Sequence, residues 1–222
     1  MSGTRYNQFC ALARATEIIG ERWTLLIIRE LLLSPMRFGD LVARLDGVSP
    51  ALLTARLDAL AEAGIVRRAT LPAPFKVQVY ELTELGRAMQ PAIRELIRWG
   101  GRFLFPVREG EIFEPDWVLL ALDAIARRNP TPVCRIGLRL PYGDRPANFL
   151  VQGGPEGTRI SKEDDAAGSA ATIEARFDVL LQILARQVPL DKAVANRQAT
   201  IEGNARTLRK LPDLFDLATA RR

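Results

Sequence analysis

The chain is expected to be an α+β protein: a winged helix-turn-helix domain at residues 1–105, followed by a small α+β domain with a mainly antiparallel sheet at 106–222. Three observations predict this. A capped, amphipathic stretch from Ser49 runs into two alternating segments, Ile65 to Ala69 and Val77 to Glu81, which face each other across a Pro72/Pro74 turn. The polar, turn-prone run P-V-R-E-G-E from Pro106 to Glu111 then interrupts the pattern. Beyond it, strand-like segments in series are flanked by amphipathic helices, the arrangement that covers one face of an antiparallel sheet.

Taken in order, Asn7 to Ile19 places Phe9, Leu12, Ala15, Ile18 and Ile19 on one helical stripe, with Gly20 as its stop. A second helix from Glu21 puts Trp23, Leu26, Ile27, Glu30 and Leu31 on a shared face, and Ser34-Pro35 breaks it. Phe38, Leu41, Val42 and Leu45 form a short third helix, and Asp46-Gly47 turns into Ser49. Ser49 suits an N-cap and Pro50 the first helical position, where a missing N–H costs nothing. From there Leu53, Leu57, Leu60 and Ala61 make a buried stripe, Ala51, Thr54, Ala55 and Asp58 an outer face, and Gly64 a left-handed stop. Thr83 caps a long helix through Leu85, Met89, Ile93, Leu96 and Ile97, which Pro91 can bend. That helix carries more large apolar residues than a domain of this size covers internally. Pairing with the N-terminal helix of a second subunit is the economical solution, and it would supply two reading heads for a symmetric DNA site.

After residue 106, a helix is expected from Asp116 to Arg128 and strands at Val133–Leu140, Ala147–Val151, Thr158–Ser161 and Ala171–Arg176. Helices follow at Asp178–Gln187 and Leu190–Ala195, then a strand at Gln198–Glu202 and a last helix at Ala205–Phe215. The adjacent carboxylates of Glu163-Asp164-Asp165 read as a solvated turn rather than a metal site, which needs its ligands spaced around the ion.

Composition narrows the function. Among 222 residues there is no histidine, so the commonest general base and metal ligand are both absent and a Ser-His-Asp triad is impossible. No catalytic residue, metal or cofactor is expected, although chemistry by Asp, Glu or Lys in the C-terminal domain remains a competing class. Cys10 and Cys134 form no C-x-x-C pair, which suits a reducing cytoplasm. No apolar run reaches the length of about 20 residues that a membrane span needs, so no membrane partner is expected. Net charge is +5, of which +4 lies in residues 1–105, with fourteen Lys and Arg against ten Asp and Glu. The excess therefore accompanies the helix and ribbon, and double-stranded DNA is the expected partner.

Candidate contacts follow from position. The small residues Ala51 and Ala55, with Ser49, Pro50 and Thr54, allow close approach to base edges, and Thr54 can hydrogen-bond a base or touch a thymine methyl. Arg56 lies beside the buried stripe, so its guanidinium reaches either a phosphate or a neighbouring carboxylate. Arg67, Arg68 and Lys76 supply the wing with charge, and Arg37 opens the short helix as either a phosphate contact or a structural ion pair. Asp58 repels phosphate and receives no DNA role. A winged helix used only for protein contacts is the other competing class.

Several blocks also resemble HxlR-type bacterial transcriptional regulators: G-E-R-W-T-L-L-I-I-R-E-L-L (Gly20 to Leu32), R-F-G-D-L (Arg37 to Leu41), S-P-A-L-L-T-A-R-L (Ser49 to Leu57), A-G-I-V (Ala63 to Val66) and Y-E-L-T-E-L-G-R (Tyr80 to Arg87). The resemblance implies a homodimeric, cytoplasmic winged-helix repressor or activator. It aligns Cys10 with a cysteine that serves some members as a redox sensor, although Ala11 stands where those members often have proline. Cys10 is otherwise a small apolar-face residue. From about Asp116 the chain resembles a sterol carrier protein type-2-like domain, through G-G-P-E-G-T-R-I, T-I-E-A-R-F-D-V-L-L-Q-I-L-A and A-T-I-E-G-N-A-R-T-L-R-K-L. Such domains can enclose an apolar cavity for a small hydrophobic ligand. Phe149, Val151, Phe177, Leu180, Leu181 and Leu184 would then line a cavity or, equally, fill a core.

Overall fold

A computed structural model of the protein describes residues 5–72, 74, 76–164 and 168–217. Asp165 of the acidic run lies outside the described residues. The chain divides into two compact units, one ending at Ile93 and the other starting at Arg94.

In the first unit, α1 (Ala11–Ile19) is followed by α2 (Thr24–Leu33), α3 (Phe38–Arg44) and α4 (Pro50–Glu62). The apolar stripe expected to bury α1 is turned outward: Phe9 and Leu12 are exposed, and Ala13 is the buried residue of the helix. Helix α2 is the central one, with Ile27 and Ile28 fully enclosed. Glu30 is enclosed with them. Its Oε1 accepts from Arg29 Nη2 at 2.5 Å, and Arg44 Nε of α3 lies 3.5 Å from Oε2. A carboxylate enters an apolar core at this cost only when guanidinium groups come with it.

Helix α4 forms as its residues dictate. Ser49 Oγ accepts a hydrogen bond from the Leu52 N–H at 3.3 Å, and Pro50 holds the first position. Leu53, Leu57 and Leu60 are buried, each contributing roughly 1.5–3 kcal/mol relative to exposure. Ala61 is exposed, so the stripe is narrower than its spacing suggested. Gly64 takes φ +71°, the left-handed stop. Strands β1 (Val66–Thr70) and β2 (Gln78–Leu82) then pair antiparallel with Arg67 opposite Glu81 and Arg68 opposite Tyr80. Met36, between α2 and α3, bridges to Tyr80 through two backbone hydrogen bonds of 3.0 and 2.7 Å, which ties the ribbon to the helices.

The single long helix expected after Thr83 is divided. Thr83 caps a short α5 (Glu84–Arg87), its Oγ1 accepting from Gly86 N–H at 3.1 Å while donating to the Gly64 carbonyl at 2.6 Å. Helix α6 (Gln90–Gly100) starts afresh with Pro91 in its first turn, where a ring without an N–H is tolerated. At Gly86 a Cβ would sit 2.2 Å from the Ile65 carbonyl oxygen, so only glycine lets α5 lie against the base of the wing.

In the second unit, α7 (Pro115–Ile125) precedes β3 (Cys134–Leu140), β4 (Ala147–Gly154), β5 (Gly157–Glu163) and β6 (Ala171–Ala175), then α8 (Phe177–Leu184), α9 (Leu190–Ala195), β7 (Ala199–Gly203) and α10 (Ala205–Leu208). The sheet order is β5-β4-β3-β6-β7. The sheet is mixed: β3 pairs parallel with β6, while the other pairings are antiparallel. The cause is topological. The β3-β4-β5 meander occupies one side of β3, and the chain returns to the free side with β6 pointing the same way. The last helix is also shorter than expected. After α10, Pro212 falls in a separate 3-10 turn, Leu211–Leu214. Helices and sheet close over one apolar cluster that includes Val118, Leu122, Ile136, Leu138 and Leu214.

Candidate nucleic-acid interface

The side chains of α4 separate as a helix lying in a groove requires. Ser49, Pro50, Ala51, Thr54, Ala55 and Asp58 are exposed along one face, while the leucines hold the opposite face in the core. Thr54 is exposed and donates its hydroxyl proton to the Pro50 carbonyl at 3.0 Å, leaving its oxygen as an acceptor. Thr54 therefore presents an acceptor and an apolar contact, a pair suited to an amine edge or a thymine methyl.

The arginines are more constrained. Arg56 is half-buried, with Nη2 2.7 Å from Glu21 and Nε donating to the Arg22 carbonyl at 3.3 Å. Of its two expected partners, the structure supplies a carboxylate. Arg67 Nη2 lies 2.6 Å from Glu81, its cross-strand neighbour. Arg68 reaches from β1 to α4, placing Nη2 3.2 Å from Asp58 while its guanidinium carbon lies 5.6 Å from the centre of the Tyr80 ring. Arg37 and Lys76 are exposed and form no ion pair among the described residues; Asp40 Oδ2 accepts only the Arg37 backbone N–H, at 3.3 Å. Lys76 also holds a positive φ of 38°.

Sequence reasoning missed two features of this surface. It gave Asp58 no DNA role, because a carboxylate repels phosphate, and did not find its pairing with Arg68, since residues ten apart on different elements leave no periodic signal. Nor did it find the open cleft of about 530 Å³ between α3, α4 and the ribbon, whose walls come from three separate elements.

Cys10 is exposed just before α1. Cys134 is half-buried, its thiol donating to the Pro132 carbonyl at 3.3 Å, and burial pushes its pKa up. In the second unit, Phe149, Val151, Leu180, Leu181 and Leu184 are members of the core cluster, and Phe177 packs against it with its ring 5.6 Å from that of Phe113. An open cleft of about 230 Å³ lies elsewhere on this unit, lined by residues such as Glu114, Tyr142, Arg145 and Lys162. Among the described residues no cluster of side chains could hold a metal ion, and no helix is long and apolar enough to cross a membrane.

Comparison with known proteins bears on the helices and wing. The HxlR-like helix-turn-helix family model matches residues 18–107. Over 100 residues the chain is 41% identical to an HTH-type transcriptional regulator of Mycobacterium tuberculosis, covering 45% of this chain and 62% of that protein, less than two thirds of its length. It is 36% identical over 102 residues to the HTH-type transcriptional regulator YodB of Bacillus subtilis, covering 45% of this chain and 90% of YodB. The structure of reduced YodB aligns at 32% identity over 46% of this chain and all of that one, with a TM-score of 0.39. With α2, α3, α4 and the wing all inside the matched segment, the chain belongs to the HxlR-like helix-turn-helix family.

Proposed function

We propose that this protein is a homodimeric transcriptional regulator that occupies an inverted-repeat operator, acting as a repressor. Helix α4 enters the major groove with Ala51, Thr54 and Ala55 toward base edges, and the wing brings Lys76 to the adjacent backbone. The observation that carries the reading is the exposed, small-residue face of α4 beside an antiparallel ribbon, opposite a fully buried leucine stripe.

A second subunit is supported by apolar surface that each unit leaves open. Phe9 is fully exposed and Leu12 is 74% exposed around α1, and Trp99 of α6 and Phe103 of the 3-10 turn after it, whose rings meet edge to face at 5.0 Å, are 59% and 62% exposed. Apolar patches of this kind mark interaction surfaces. The second unit serves as a sterol-carrier-like effector module in this reading; the support is its resemblance, together with helices closing an apolar interior over a sheet.

The test is recovery of sheared genomic DNA by the purified full chain, with sequencing at two salt concentrations. A short inverted repeat retained at high salt supports the regulator. Random fragments lost as salt rises would reduce the interaction to counterion release and sink the reading.

A further inference from the structure

We propose that the second unit carries a contact surface of its own for the phosphate backbone of duplex DNA, formed by Lys192 and Arg197 at α9 and by Arg206, Arg209 and Lys210 at α10. The near-neutral charge of residues 106–222 conceals an asymmetry. Residues 106–190 carry ten Lys and Arg against twelve Asp and Glu, whereas residues 191–210 carry five against two. One of those two, Glu202, is held 3.1 Å from Arg139 of β3. The other, Asp191, meets Arg209 at 3.3 Å, which ties the start of α9 to the end of α10 and brings their cations together.

Leu208 is buried, and Arg206, Arg209 and Lys210, three and four residues apart, share the exposed side of the same turn. All five cations are exposed. Lys192, Arg197, Arg206 and Lys210 form no ion pair among the described residues, in contrast to Arg94, Arg128, Arg139 and Arg176 of the same unit. The Arg209 pair is exposed on both sides, so it yields readily to a phosphate. Arg197 holds φ +58° at the stop after α9, a left-handed position that suits glycine and strains a side chain. Strained positions of this kind collect at binding sites.

The chemistry selects the partner. Among the described residues, no exposed large apolar side chain falls between Phe177 and Leu217. The surface therefore lacks both the apolar face that a membrane-bound helix inserts and the aromatic centre of a protein interface. Cations interspersed with the exposed amides of Asn196 and Gln198 are instead the set that meets phosphate oxygens. Such contact needs no enclosed pocket, because release of counterions along the duplex supplies the free energy. The choice of DNA among polyanions rests on the regulator reading; the charged surface does not.

The experiment is fluorescence anisotropy of the full chain with a labelled random-sequence duplex across a salt series. The test variant combines Lys192→Gln, Arg206→Gln and Lys210→Gln; the control, Arg108→Gln with Arg145→Gln and Arg159→Gln, removes the same charge from elsewhere in the unit. The plot of log affinity against log salt should flatten by about two to three units in the test variant and by less than about one in the control, with thermal midpoints unchanged. An unchanged slope, or equal flattening in both, overturns the surface. Binding to phosphatidylglycerol vesicles that the test variant loses, beside an unchanged DNA slope, would assign the cations to a membrane and overturn the proposal. Flattening on random duplex without recovery of any inverted repeat would remove the regulator reading and leave the surface standing; a recovered repeat with an unchanged slope would do the reverse. A wild type that binds no duplex at low salt overturns both.

Discussion

The Asp58 carboxylate on the outward face of α4 lies 3.2 Å from the Arg68 guanidinium on the first wing strand. Helix α4 and the wing are thereby joined by an ion pair that also neutralises a wing cation. Arg56 and Arg67 are held in the same way by Glu21 and Glu81, so much of the basic charge of this surface is already partnered in the free protein.

Asp58→Asn should therefore strengthen binding to any duplex at low salt and steepen the plot of log affinity against log salt by about one unit, as one cation is released to a phosphate. Stability should change by less than about 1 kcal/mol, since both groups are exposed. Fluorescence anisotropy across a salt series measures the slope, and an unchanged slope would show that Arg68 never reaches DNA.

Thr54→Glu places a charge on the face proposed to meet the bases while leaving the leucine stripe intact. Specific binding should be lost with the thermal midpoint preserved. Operator affinity equal to wild type would take α4 out of the groove. In Lys76→Ala, all sequences should bind more weakly and the salt slope should flatten by about one unit; an identical slope would clear the wing tip of phosphate contact.

Gly86→Ala tests the seat of the wing. The new methyl group would meet the Ile65 carbonyl at 2.2 Å, and overpacking of this kind costs about 1–3 kcal/mol. Denaturant unfolding should show that loss; a midpoint equal to wild type would mean that α5 moves freely.

The two thiols should separate in reactivity. Burial raises the Cys134 pKa, so its thiolate fraction at neutral pH falls below that of an ordinary thiol, whereas Cys10 is exposed. Iodoacetamide followed by peptide mass mapping should find Cys10 modified first, with Cys134 catching up as pH rises through its elevated pKa. Faster labelling of Cys134 at neutral pH would contradict its placement. Operator affinity that survives full modification of Cys10 would remove thiol sensing from this protein.

Leu12→Glu combined with Trp99→Glu should convert the proposed dimer to monomer in sedimentation velocity without unfolding either unit. A monomeric wild type would remove the homodimer, and a dimer that persists in the variant would place the subunit contact elsewhere.

Helix α4 was legible in the sequence because every signal that makes it is local: a serine cap, a proline at the first position, leucines three and four apart and a glycine at the stop. The wing strands and most strands of the second unit were legible for the same reason, since alternation is a property of neighbours along the chain. What escaped depends on meetings between distant residues. Pro91 and Pro212 sit in stretches whose apolar spacing continues past them, and packing divides each expected helix. The parallel pairing of β3 with β6 follows from which sheet edge remained free after the meander closed. Glu30 beneath two arginines, Asp58 against Arg68 and the cleft beside Thr54 each join separate elements. Periodicity sets which way a side chain points; only tertiary packing decides what it meets there, because Coulomb and contact energies depend on distance in space rather than along the chain.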